Sequence, residues 1–142
     1  MRRFFGTLFG AALLFGSHVA PVFANQDESL SGWYNALQNA DVSALEGAMA
    51  AEDFSPFEYK VTDLGIEQNR SEFIASMDEW LGAISGGSID YKIKEEFEGG
   101  FTVSVCYRFK DSEFLAEEEV GVYDTKITGV SQTGKGNTCA GF

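Results

Sequence analysis

The 142-residue sequence has a single histidine, His18, and that residue lies within the first two dozen positions. Arg2 and Arg3 are followed by an apolar stretch, Phe4 to Phe15, too short to span a bilayer, and by small residues at the cleavage positions of Val22-Phe23-Ala24. This pattern predicts a secretory signal peptide over residues 1–24, cut after Ala24. An uncleaved N-terminal anchor is opposed by the shortness of the run, which ends at His18 and Pro21. The exported chain then holds no imidazole, which excludes Ser-His-Asp and Cys-His nucleophilic sites and the usual His-containing zinc sites. Acid–base chemistry is left to carboxylates, tyrosines or lysines.

Other scarcities narrow the field. No later run reaches the roughly eighteen apolar residues of a membrane helix, so no membrane association is expected after cleavage, and no cysteine near Ala24 offers a site for a lipid anchor. Basic residues are few: the first 24 residues take two of the 10 and none of the 22 acids, leaving 118 residues with 8 bases against 22 acids and a formal charge of −14. That balance opposes nucleic acid and anionic lipid and favours solubility. Only two cysteines occur, Cys106 and Cys139, without the Cys-x-x-Cys spacing of a redox pair, and an oxidising compartment predicts a disulfide between them. The expected location is secreted or periplasmic. No cofactor or metal is expected, since a calcium site on Glu95, Glu96 and Glu98 would be split between the two faces of a strand.

What is present reads as one α+β domain over residues 25–132 with a Gly-rich tail, 133–142. Leu30, Trp33, Tyr34 and Leu37 form the i, i+3, i+4, i+7 stripe of a first helix, and Asp41 caps a short second helix with Val42, Leu45, Ala48 and Met49 on its apolar side. The two make a hairpin. Phe57, Tyr59 and Val61 alternate with Glu58, Lys60 and Thr62 as a strand, and a turn follows near Asp63 to Gly65. Asn69 with Glu72 opens a long helix carrying Phe73, Ile74, Met77, Trp80, Leu81 and Ile84 up to Gly86-Gly87. Asn69-Arg70-Ser71 also matches a glycosylation acceptor, and the helix cap is the preferred reading. Beyond Gly87 the period falls to two. Strands around Ile89 to Ile93, Phe101 to Phe109, Phe114 to Tyr123 and Lys126 to Gln132 predict a four-stranded antiparallel meander.

This order of elements resembles the nuclear transport factor 2-like, or SnoaL-like, cone. The segment Tyr34-Asn35-Ala36-Leu37-Gln38-Asn39-Ala40-Asp41 is similar to the family's first helix running into a capped second one. Ala50-Ala51-Glu52-Asp53-Phe54 resembles its acidic turn, Asn69-Arg70-Ser71-Glu72-Phe73-Ile74 the start of its long helix, and Tyr123-Asp124-Thr125-Lys126-Ile127 its last hairpin. The match spans Leu30 to Gln132. It implies a curved antiparallel sheet wrapped around the long helix, with a pocket between helices and concave face. Trp33, Tyr34, Phe54, Tyr59, Met77, Trp80, Tyr91 and Tyr107 are the candidate ligand-binding residues, the alternative being that these side chains fill the core.

The ketosteroid isomerase-like branch carries its base a few residues past the acidic turn, where Glu58 stands here, while Trp33 occupies the place of a helix-one tyrosine. Burying Phe57 and Tyr59 would point Glu58 outward. Asp63, Asp78, Glu79 and the run Glu117-Glu118-Glu119 read as solvated acids. The leading expectation is a non-catalytic binding module for a small apolar ligand or a protein partner. The alternative is a carboxylate-dependent isomerase, dehydratase or cyclase, which requires a carboxylate inside the cone and Trp33 or a tyrosine hydroxyl within hydrogen-bond reach of the reacting oxygen. Cys106 falls on the strand face opposite Val105 and Tyr107, so a bond to Cys139 would draw the tail over the convex side; the resemblance implies a homodimer through that face, which the tail would either cover or join.

Overall fold

A computed structural model describes residues 23–53 and 56–142, with side chains from Asp27 onward. The signal-peptide reading for residues 1–24 thus falls almost wholly outside the described residues, and Phe54 also lies outside them. Helix α1 (Phe23–Gln38) buries Leu30, Trp33, Tyr34 and Leu37, the stripe expected from its spacing. Asp41 then caps α2 (Val42–Ala48), its carboxylate accepting from the Ala44 N–H at 3.1 Å. Among the described residues no helix is long and apolar enough to cross a membrane.

Strand β1 (Glu58–Val61) passes through a 3-10 turn, Thr62–Leu64, closed by Gly65 at φ 62°, into a second strand, β2 (Ile66–Asn69). β2 corrects the expectation of a plain turn before the helix cap. It holds one apolar residue, Ile66, and is defined by its pairing with β1 rather than by a hydrophobic face. The long helix is also corrected. Asn69 and Glu72 make the expected reciprocal capping box, but the helix divides at Ser76 into α3 (Arg70–Ala75) and α4 (Met77–Ile84). The Ser76 hydroxyl donates to the Phe73 carbonyl at 2.6 Å, which bends the helix there, while Trp80 N–H still reaches Ser76 O at 3.0 Å. Phe73, Met77 and Ile84 face the core; Leu81, at the edge of the stripe, stays half exposed.

β3 (Ser88–Phe97), β4 (Gly100–Arg108), β5 (Glu113–Tyr123) and β6 (Lys126–Gly136) form the expected antiparallel meander, with β6 running four residues past Gln132. The whole sheet has six strands in the order β2-β1-β6-β5-β4-β3. It is mixed, because β1 joins β6 in parallel, Tyr59 opposite Val130, and the α3–α4–β3–β4–β5 excursion provides the long crossover such a pairing demands. Register shifts at Ile93/Glu95, Leu115/Ala116 and Gly121/Val122 add the local bends that curve the sheet around the helices.

Alternation assigns each strand residue to a face. Val103, Val105 and Tyr107 of β4 point to the concave side and are buried, whereas Cys106 points to the convex side. Cys106 is bonded to Cys139 with the two Cα atoms 5.8 Å apart. The Cys139 N–H donates to Glu113 Oε2 at 2.8 Å, and Lys92 Nζ lies 4.6 Å from the centre of the terminal Phe142 ring. The tail is therefore drawn across the convex face.

Candidate functional site

On β5 the inward parity runs Phe114, Ala116, Glu118, Val120 and Val122, so one carboxylate stands where the pattern calls for an apolar side chain. Glu118 has no exposed surface. Of the acidic triplet only Glu117 and Glu119 face outward, Glu117 pairing with Lys94 at 2.5 Å. The reading of all three as solvated is corrected for Glu118 alone: a period of two places the middle residue of any such run on the other face.

Three donors from three elements converge on the buried carboxylate. Tyr34 of α1 donates its hydroxyl to Oε1 at 2.9 Å, Gln132 of β6 donates Nε2 to Oε2 at 2.7 Å, and the Tyr107 hydroxyl of β4 donates to the same Oε2. Gln132 Nε2 also lies 3.2 Å from the Tyr59 hydroxyl. The sheet register brings these groups together, since Glu118 is directly opposite both Gln132 on β6 and Val103 on β4. Among the described residues no lysine or arginine pairs with Glu118; its partners are all neutral hydrogen-bond donors. Burial pushes its carboxyl above the ordinary value, and the hydrogen bonds from Tyr107, Gln132 and Tyr34 oppose that rise. Burial and then the charge of Glu118 hold the hydroxyls of Tyr34, Tyr59 and Tyr107 in their protonated forms to unusually high pH.

Beside this cluster a cavity of about 350 Å³ opens between the bent helix and the sheet. Rings from Tyr59, Phe73, Trp80, Tyr107, Phe109 and Phe114 wall it, with Leu37 and Met77 between them. Trp80 is fixed by a 2.7 Å bond from its indole N–H to the Leu37 carbonyl, and it meets Tyr107 and Phe109 edge-on at 5.9 and 6.0 Å. Tyr107 and Gln132 stand at the inner end and separate Glu118 from the cavity; Ala83 and Glu79 also line it, and both are exposed. Among the described residues no group of three or more His, Cys, Asp or Glu side chains could hold a metal ion.

The candidates named from sequence divide accordingly. Tyr59, Met77, Trp80 and Tyr107 line the cavity. Trp33 does not: it is fully buried, stacked 5.5 Å from Phe73, and its indole N–H has no acceptor among the described residues. Tyr34 supports Glu118 and stacks on the half-buried Tyr91 at 4.7 Å, so these two act behind the wall. Glu58 lies on the solvent side, 3.0 Å from Lys60 Nζ, and the carboxylate within the cone is Glu118 instead. Sequence reasoning also passed over Gln132, whose inward place on β6 is two residues from Val130.

No protein-family model matches the sequence, and no curated protein matches it. Solved structures do match. A putative ketosteroid isomerase from Kribbella flavida superposes with a TM-score of 0.62 at 11% identity, covering 81% of this chain and 81% of that one. An NTF-2 like protein of unknown function from Burkholderia xenovorans gives 0.63 at 12% identity, with 82% and 87% covered. An LEH-like epoxide hydrolase from M. tuberculosis gives 0.58 at 13% identity, with 79% and 84% covered. The chain therefore has the NTF2-like, ketosteroid isomerase-like fold. Because that fold is shared by a putative isomerase, an epoxide hydrolase and a protein of unknown function, it does not by itself assign an activity.

Proposed function

We propose that this chain is an exported binding module that holds a small molecule with an apolar body in the cavity between the bent helix and the sheet. One observation carries this reading: a space of about 350 Å³, within the usual range for small-molecule sites, remains open in a domain of this size and is walled by aromatic rings, with hydroxyl and amide groups at its inner end. The exported setting is supported by the signal-peptide pattern of residues 1–24 and by the Cys106–Cys139 disulfide. The neutral fluorescent probe N-phenyl-1-naphthylamine tests the site. Its emission should rise on binding, and Ala83→Phe, which narrows the mouth, should weaken binding at least about tenfold without altering the circular dichroism spectrum. No enhancement with the native protein, or equal enhancement with the variant, would refute the reading.

A second reading, a carboxylate-dependent isomerase, dehydratase or cyclase, is favoured by Glu118 lying inside the cone against two tyrosine hydroxyls. It ranks below binding because Tyr107 and Gln132 stand between the carboxylate and the cavity. Proton exchange α to the carbonyl of cyclohexanone in D2O, followed by NMR, separates the two: an enzyme of this kind accelerates it and loses the acceleration in Glu118→Gln.

A further inference from the structure

The charges around the cavity point to one class of ligand. Among the described residues, no lysine, arginine or histidine lines it, whereas Glu79 stands on its lining and Glu118 lies one hydroxyl behind its inner end. Glu118 is held by tyrosine and glutamine donors alone, so its charge, when ionised, has no cation to compensate it. With its hydrogen committed to Glu118, the Tyr107 hydroxyl offers no donor to a further partner, and its oxygen already accepts from Gln132 Nε2 at 3.4 Å. An anionic ligand would meet repulsion from both acids. A neutral one would leave the buried carboxylate as it found it.

The walls complete the picture. Trp80, Tyr107, Phe109 and Phe114 make a contiguous cluster of rings, and Tyr59 and Phe73, also on the lining, have ring centres 4.8 Å apart. Ring faces attract a cation that has shed its water, and a substituted ammonium sheds water more readily than a bare one. The formal charge of −12 on the whole chain favours approach of a cation at long range.

We infer that the cavity takes an organic cation, a substituted ammonium whose alkyl groups lie against the rings and whose charge is balanced by Glu118 and Glu79. This rests on the reading of the cavity as a ligand site, and the test keeps the two apart. Choline and 3,3-dimethylbutan-1-ol have the same shape and differ in a quaternary nitrogen against a carbon, so the ratio of their dissociation constants, measured by calorimetry on the native protein, isolates the charge. Choline should bind about tenfold or more tightly than the alcohol. That preference should shrink in Glu118→Gln and, independently, in Glu79→Gln, whose exposed position makes it safe for folding. If the alcohol binds as well as choline, or if neither binds while the naphthylamine probe still does, the inference falls and the binding reading survives. If none of the three binds, the binding reading itself has failed.

Discussion

Replacing Glu118 by glutamine should remove a specific pH dependence from the stability of this protein. The carboxylate is buried with three donors, and charge-assisted hydrogen bonds of about 1.5–3 kcal/mol each oppose a burial penalty of several kcal/mol. The two are of the same order, which is why an unpaired carboxylate is tolerated there. Burial nonetheless leaves the folded carboxyl above its ordinary value of 4.5. Below pH 4.5 it is protonated in both folded and unfolded chains, and its stabilising preference for the protonated form is fully present. As the pH rises past 4.5 the unfolded chain loses this proton while the folded chain keeps it. Stability then falls, with a slope approaching about 1.4 kcal/mol per pH unit for one proton, until the folded carboxyl ionises as well. The glutamine side chain of the variant has no such proton to lose. The assay is urea denaturation of native protein and Glu118→Gln from about pH 4 to 8, with the difference in unfolding free energy plotted against pH. Glu117, whose carboxyl is held low by the hydrogen bond from Lys94, contributes with the opposite sign, but it faces the other side of the sheet in both proteins and cancels in the difference. A difference curve that is flat, or in which the native protein gains on the variant as pH rises above 4.5, would refute the placement of Glu118 as a desolvated acid.

Two further outcomes follow from the scaffold. The Cys106–Cys139 bond closes a loop with a sequence separation of 33, for which the chain-entropy relation gives about 3.7 kcal/mol, so Cys106→Ala with Cys139→Ala should lose stability of that order in a urea melt, and a loss under about 1 kcal/mol would contradict the account of the pinned tail. Asn69→Ala removes the acceptor that the Glu72 N–H reaches at 2.9 Å and should cost about 1 kcal/mol by the same measurement, with Asn69→Asp recovering most of it.

The elements that were legible in the sequence are those whose signal is local. The stripe of α1, the Asp41 cap and the Asn69–Glu72 capping box each rest on residues within two turns of one another, and the alternation of β3 through β6 is strong because one face of each strand is buried. β2 escaped because an edge strand with a single apolar residue is held by backbone pairing, which leaves no mark in side-chain pattern. The parallel contact of β1 with β6 escaped for a different reason: it joins residues some seventy positions apart, and no turn chemistry announces it. The bend at Ser76 has neither glycine nor proline to betray it. It comes from a serine hydroxyl that competes for a helix carbonyl, and that outcome depends on how the two halves pack.

The site was half legible, and the missing half concerns a single residue. Read as composition, Glu117-Glu118-Glu119 is a charge run on a solvated face. Read by parity along Phe114, Ala116, Val120 and Val122, its middle member must be buried. Parity was available from the sequence, but it conflicts with the cost of burying a carboxylate, and only the knowledge of what lies opposite resolves that conflict. Tyr34, Tyr107 and Gln132 come from a helix and two strands that flank β5, and the curvature of the sheet brings their donors to one point. An apolar residue at position 118 would have served the core with no such support, since a buried polar cluster rarely stabilises more than well-packed hydrocarbon of the same volume. The presence of three matched donors around an acid with no cation is thus better explained by the cavity on the other side of Tyr107 than by the core itself. This is the physical reason for seeking the missing positive charge in a ligand.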